Sequence, residues 1–225
     1  MGVLTPTRVG TFSINNNGGA NSAGPTLTWP SGIQAGDTAI MALCEQQTTQ
    51  AASWPDATWL DITQAGASRA NLNMIAAIKK CQGTESGSVT PNSTHSLYKT
   101  GCLIVIRGLG PLIVNNGTNT ATSTTMSLLT TGSGKAMPHV FGIYIYGHQT
   151  SGTAATLTQT GTGNTLEGQN STTTNPATAM GLTTHYNSEH FTATTTQPTS
   201  TATANNVTMF LQFQIAEFCA LTTAA

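Results

Sequence analysis

Charge is what this sequence has least of. Only 7% of its 225 residues are Asp, Glu, Lys or Arg, against roughly 25% in a typical globular protein. Lys and Arg number 7, Asp and Glu 8, and the formal net charge is −1. Phosphate backbones are held by clustered lysines and arginines. Here the basic residues are scattered from Arg8 to Lys135, so direct nucleic-acid binding is not expected. The one adjacent pair, Lys79-Lys80, reads as the solvent end of a strand. A near-neutral surface gives copies little reason to repel one another. It suits permanent packing into an assembly.

Other absences narrow the chemistry. The four cysteines, Cys44, Cys81, Cys102 and Cys219, form no close pair. Thioredoxin-like and zinc-knuckle spacings are therefore missing, and four free thiols are expected. No run approaches the roughly 20 apolar residues of a membrane helix. The start, Met1-Gly2-Val3-Leu4-Thr5-Pro6, lacks a basic region followed by an apolar one, so no targeting segment and no membrane partner are expected. There is no Gly-x-Ser-x-Gly elbow. Gly132-Ser133-Gly134-Lys135 continues into Ala136 where a phosphate loop needs a hydroxyl. His139 and His148 flank one strand, roughly 30 Å apart. His185 and His190 lie around a turn-like Tyr186–Glu189 stretch and, with Glu189, are the closest approach to a metal set. Zinc wants three or four convergent ligands, and no local motif supplies them. No catalytic residue, cofactor or metal is expected.

What is present is strand. At 38% hydrophobic the chain can bury a core. Gly36 to Cys44 is a glycine-aspartate turn feeding an apolar run, and Leu72 to Ile78, Cys102 to Ile106 and Val140 to Tyr146 behave alike. The β-branched cluster in Leu103-Ile104-Val105-Ile106 favours extended packing. Val207 to Phe218 alternates and closes the fold. Thr7 to Ile14 offers an edge strand, broken by Asn15-Asn16-Asn17-Gly18-Gly19. Glu45 to Ser53 reads as a loop, with Glu45 ending the strand before it. Thr192 to Asn206 reads as an exposed low-complexity loop.

Nothing in the composition splits residues 1–225 into two domains. One antiparallel β-sandwich, jelly-roll-like, of about 9 to 12 strands with long Thr/Asn/Gly-rich loops is the simplest architecture. Residues 1–6 read as an N-terminal arm. The expected core is Ile40, Leu43, Leu72, Met74, Ile78, Leu103, Val105, Phe141, Ile143, Ile145, Leu211 and Phe213.

Two residue groups invite a functional reading. Trp54 and Trp59 lie beside Asp56 and Asp61. Rings that stack on sugar faces next to hydrogen-bonding acids make a glycan-binding site one alternative. Cleavage is a weaker one, needing two carboxyls roughly 5 to 9 Å apart. Tyr144, Tyr146 and Phe210 fall on the less aliphatic strand faces and are candidates for a subunit interface.

Gly36-Asp37 with its strand, Trp59 near Ile62, Ile78-Lys79, Gly83 to Thr90 enclosing Glu85-Ser86-Gly87, and Arg107-Gly108 follow one another in a set order. This order resembles a recurrent module of tailed-phage structural proteins. The strands at Val140 to Tyr146 and Val207 to Phe218 resemble its continuation. Thr58-Trp59 replaces the module's Gly-Trp, and Cys81 stands where a small apolar residue is usual. The resemblance implies a non-enzymatic virion component with a jelly-roll-like sandwich. Its place would be capsid decoration, cement, fibre or tail. Its partners would be other virion proteins and further copies of itself, as a trimer. A carbohydrate-binding module of a tail fibre is the alternative. The resemblance carries no catalytic residues.

Overall fold

The computed structural model describes residues 5–17, 23–46, 52–62, 68–69, 72–93, 99–114, 117–127, 137–150, 157–160, 164–171, 177–191 and 201–220, with side chains described only as far as residue 110. Among the described residues, the first half of the chain supplies eleven strands. They are β1 (Thr7–Arg8), β2 (Ser13–Asn17), β3 (Leu27–Thr28), β4 (Ala35–Glu45), β5 (Ala52–Ser53), β6 (Leu60–Asp61), β7 (Ser68–Arg69), β8 (Leu72–Gln82), β9 (Ser88–Val89), β10 (Asn92–Ser93) and β11 (Lys99–Arg107). The second half supplies β12 (Leu109–Val114), β13 (Gly117–Ser127), β14 (Met137–Thr150), β15 (Leu157–Thr160), β16 (Asn164–Ser171), β17 (Ala177–Phe191) and β18 (Thr201–Ala220).

The fold is all-β, with two large antiparallel sheets. In the first, the order is β1-β11-β4-β8-β6, with β2 also along β11 and β7 also along β8. In the second, it is β12-β18-β14-β17-β16, with β13 and β15 also along β18. Strands β14, β17 and β18 approach β4, β8 and β11, so the sheets meet. Two small ribbons, β3-β9 and β5-β10, complete the described strands.

The unbroken apolar runs have a physical reason. A strand buried on both faces needs no polar alternation. Along β4 every residue from Asp37 to Glu45 is buried, and along β11 every residue except Arg107. One face of the first sheet gathers Ile40, Ala42, Cys44, Met74, Ala76, Cys102 and Ile104, with Phe12 and Ile14 packed on it. The other gathers Ala39, Met41, Ala77, Leu103 and Val105 under Trp29, Ile33, Trp54 and Val89. Each fully buried Leu, Ile or Met contributes about 1.5–3 kcal/mol. Ile40, Leu43, Met74, Leu103 and Val105 are buried as expected, and Ile78 packs half-buried against the first cluster. The side chains of Leu72, Phe141, Ile143, Ile145, Leu211 and Phe213 lie outside the described residues.

Several local expectations are corrected. Asn15 to Asn17 do not break the edge strand; they pair with Gly101, Thr100 and Lys99 as part of β2. The break comes earlier, between β1 and β2, where Gly10 takes a φ of 58°. Tyr186 to Glu189 is strand, not turn, since β17 runs through His185 and His190. At about 3.3 Å per residue those two histidines stand roughly 16 Å apart along the strand. Thr201 to Asn206, read as loop, belongs to β18. Its pairing with β13 and β15 supplies order that its own apolar content could not.

Candidate functional site

The β4–β11 ladder carries an acid on β4 and a base on β11 at each of its ends. At one end Asp37 follows Gly36, whose φ of 92° accompanies a register shift between Ala35 and Thr38. Asp37 is buried, and its Oδ2 accepts the Gln34 N–H at 2.8 Å. Arg107 grips the same carboxylate with both arms of its fork, Nε to Oδ1 at 2.9 Å and Nη2 to Oδ2 at 2.8 Å. Its Nη2 also donates to the Gly32 carbonyl at 2.8 Å. Such two-point pairs fix orientation as well as charge. The hydrogen bond to Asp37 raises the Arg107 pKa further above its ordinary value.

Beside this pair, Trp29 and Trp59 stack with centroids 5.9 Å apart and planes at 25°. The Lys79 ammonium lies 5.9 Å from the Trp29 ring centre and 6.0 Å from that of Trp59, a cation–π arrangement. Its Nζ is 3.6 Å from Glu85 Oε1. Glu85 in turn accepts the N–H groups of Gln82 and Gly83. Burial works to raise the Glu85 pKa. The backbone N–H groups of Gln82, Glu85 and Gly83 and the Lys79 charge outweigh it and hold it below the usual carboxylate value. Gly83 sits at φ 83°, and a Cβ there would lie 2.9 Å from the Ala35 nitrogen. Only glycine lets that turn close against the start of β4. Asp37, Trp59, Lys79, Gly83 and Arg107, quoted above for the resemblance, thus converge on one end of the sheet.

The opposite end was not anticipated. Glu45 ends β4, as expected, but it does so fully buried, as is Lys99, with Asn73 buried beside it. Lys99 stands opposite Asn17 on one side and Glu45 on the other, and Glu45 stands opposite Asn73. One polar row therefore crosses β2, β11, β4 and β8. Glu45 Oε1 accepts from Asn73 Nδ2 at 3.3 Å, and Oε2 accepts from the Ser93 hydroxyl at 2.8 Å. Lys99 Nζ donates to the Ala23 carbonyl at 3.4 Å. Asn17 Nδ2 donates to that same oxygen at 3.0 Å. Burial lowers the Lys99 pKa, and the Glu45 charge pulls the other way without cancelling it. A signal existed in the sequence. Asp37 and Glu45 on β4 are separated by the same number of residues as Lys99 and Arg107 on β11, so antiparallel pairing brings both pairs into register.

Trp59 is 5% exposed and stacked on Trp29, leaving no face for a pyranose. Trp54 packs half-buried against the second cluster, and Asn92 Nδ2 donates to its backbone carbonyl at 3.3 Å. Exposed Asp56 accepts the Thr58 N–H at 2.7 Å and the Thr58 hydroxyl. The hydroxyl bond is the main reason its pKa falls below the ordinary carboxylate value. Asp61 is exposed on β6, opposite Ala77. For the candidate interface, register sets Tyr144 opposite Gln214, Tyr146 opposite Gln212 and His148 opposite Phe210. Tyr144, Tyr146 and Phe210 therefore share one face of the second sheet.

Among the described residues no group of three His, Cys, Asp or Glu could hold a metal ion. No helix among them is long and apolar enough to cross a membrane. Cys44, Cys81 and Cys102 are free and buried. Burial pushes the Cys44 thiol far up, and those of Cys81 and Cys102 up to about 12. A thiol so held is a core side chain and not a nucleophile. The Cys219 side chain lies outside the described residues. Compared with known proteins, the chain matches no family model, no curated protein and no solved structure.

Proposed function

We propose that this chain is a non-enzymatic structural component of a phage particle, decorating or cementing the capsid or forming part of a fibre or tail. The observation that carries the reading is the use made of the residues behind the resemblance. Asp37, Lys79, Glu85 and Arg107 satisfy one another and the nearby backbone. Their work in this reading is to brace a sheet end. Sparse charge and a surface of hydroxyl and amide groups fit the same role, because neighbours can be joined by many hydrogen bonds of about 1 kcal/mol net each. The cost of burying ions at a contact is then avoided.

In this reading the two sheets pack as a β-sandwich of the jelly-roll-like kind. Its support is the approach of β14, β17 and β18 to β4, β8 and β11, and the crossover from β8 to β11, which lies beyond β4. The chain works as a homo-oligomer with other virion proteins as partners, and the face of Tyr144, Tyr146 and Phe210 is where copies or partners pack. The stacking of Trp59 inside the fold weighs against the glycan-binding alternative.

Purified particles test this directly. Mass spectrometry and electron microscopy should find the chain at fixed stoichiometry and as ordered density on the capsid or tail. Absence from purified particles, or binding or cleavage of a glycan by the free protein, would overturn it.

A further inference from the structure

The edges of the two sheets are built differently. The first sheet ends in fragments: β1, β2, β6 and β7 hold 2, 5, 2 and 2 residues. They carry Arg8, Asp61 and Arg69. Short length and charge are the devices that stop an edge from recruiting another strand. Strand β13 has neither. It is 11 residues long, Gly-Thr-Asn-Thr-Ala-Thr-Ser-Thr-Thr-Met-Ser, with no charge and no proline. Threonine favours extended backbone. One side of β13 pairs with β18, and among the described residues no strand pairs with its other side. From Gly117 to Ser123 its register against Gln214 to Thr208 is unbroken; the shift comes only after Ser123.

We propose that this outer edge of β13 pairs antiparallel with β13 of a second copy of the chain, so that the second sheet continues across a two-fold axis. The proposal rests on the homo-oligomer part of the reading above and gives it an interface. Self-pairing about a two-fold sets each residue against its mirror position, so any charge would meet its like. An uncharged strand escapes that penalty. With the axis at Thr120, Thr120 meets Thr120, Thr118 meets Thr122, Asn119 meets Ala121 and Gly117 meets Ser123. Cross-strand threonine pairs of this kind are favourable. The opposite edge, β16, fits less well: it carries Glu167 and a register shift between Leu166 and Gly168. An interface of this symmetry closes at two copies, where the resemblance implies three.

Sedimentation of the full chain tests the pairing. The wild type should run as a dimer. Thr120→Lys sets two ammonium groups together at the axis, and Thr120→Glu two carboxylates. Each should weaken the dimer at least about tenfold while the circular dichroism of the monomer stays that of a β protein. An equimolar mixture of the two variants should restore dimers, a result that misfolding cannot produce. A monomeric wild type at high concentration, a dimer indifferent to both substitutions, a mixture that stays monomeric, or open-ended fibres would each overturn the proposal. A dimer with these properties in a chain missing from purified particles would uphold the edge pairing and sink the particle reading.

Discussion

The two ends of the β4–β11 ladder pose the same electrostatic problem and solve it differently. At both, a carboxylate on β4 faces a cation on β11. At the Asp37–Arg107 end the Arg107 side chain is 40% exposed, so water still shares its charge. At the Glu45–Lys99 end both residues are fully buried, and neutral partners hold each of them: Asn73 and Ser93 bond Glu45, and the Ala23 carbonyl accepts from Lys99. Position along a ladder therefore does not set what an opposed acid and base contribute. Access of water does.

The largest expected effect comes from breaking the buried end. Glu45→Ala leaves the Lys99 ammonium without its facing charge and should destabilise the protein by about 3–5 kcal/mol. Urea unfolding checks this. The double change Glu45→Gln with Lys99→Met should recover most of the loss, since a buried pair replaced by neutral groups of similar volume is often close to neutral.

The middle of the ladder predicts a pH effect of nearly that size. Cys102 stays a neutral thiol in the fold up to about 12, against 9.0 ordinarily. Between those values the unfolded chain releases a proton that the native one keeps, so stability falls as pH rises. At about 1.36 kcal/mol per unit the loss attributable to Cys102 approaches about 4 kcal/mol. Cys102→Ala should flatten the alkaline limb. Lys99 acts with the opposite sign. Its folded pKa lies below 10.5, so the native state binds fewer protons than the unfolded one in that window. Stability from this group is lowest below its folded pKa and returns as pH rises toward 10.5. Wild type should therefore gain on Lys99→Met as the buffer is made alkaline.

The exposed end should respond to salt. Arg107→Lys loses the two-point grip on Asp37 and the bond to Gly32. The difference between wild type and this variant should shrink in concentrated salt, as it does for charges that water reaches. Smallest of all is Leu60→Asn. Its side chain is 61% exposed at an edge, and the change should stay within about 0.5 kcal/mol by thermal unfolding.

Much of the first sheet was legible in the sequence. Ile40, Leu43, Met74, Leu103 and Val105 sit in runs too apolar to face water, and the residues behind the resemblance do meet at one sheet end. The buried row was not legible. Glu45 and Lys99 look like ordinary strand ends until the β4–β11 register sets them opposite each other, and register is a long-range property. Asn15 to Asn17 misled for a related reason. Asparagine's taste for turns is local, and pairing with β11 overrode it. In Thr201 to Asn206 the composition spoke for loop, while β13 and β15 supplied ladder partners from far along the chain.

The most direct test is a pair of double-mutant cycles, Glu45→Gln with Lys99→Met and Asp37→Asn with Arg107→Met, each run at about 0.1 M and about 1 M salt. The Glu45–Lys99 pair should show the larger coupling, unchanged between the two salt concentrations, and the Asp37–Arg107 pair, whose guanidinium water reaches, a smaller coupling that falls at high salt. Equal couplings with the same salt response at both ends would contradict the account.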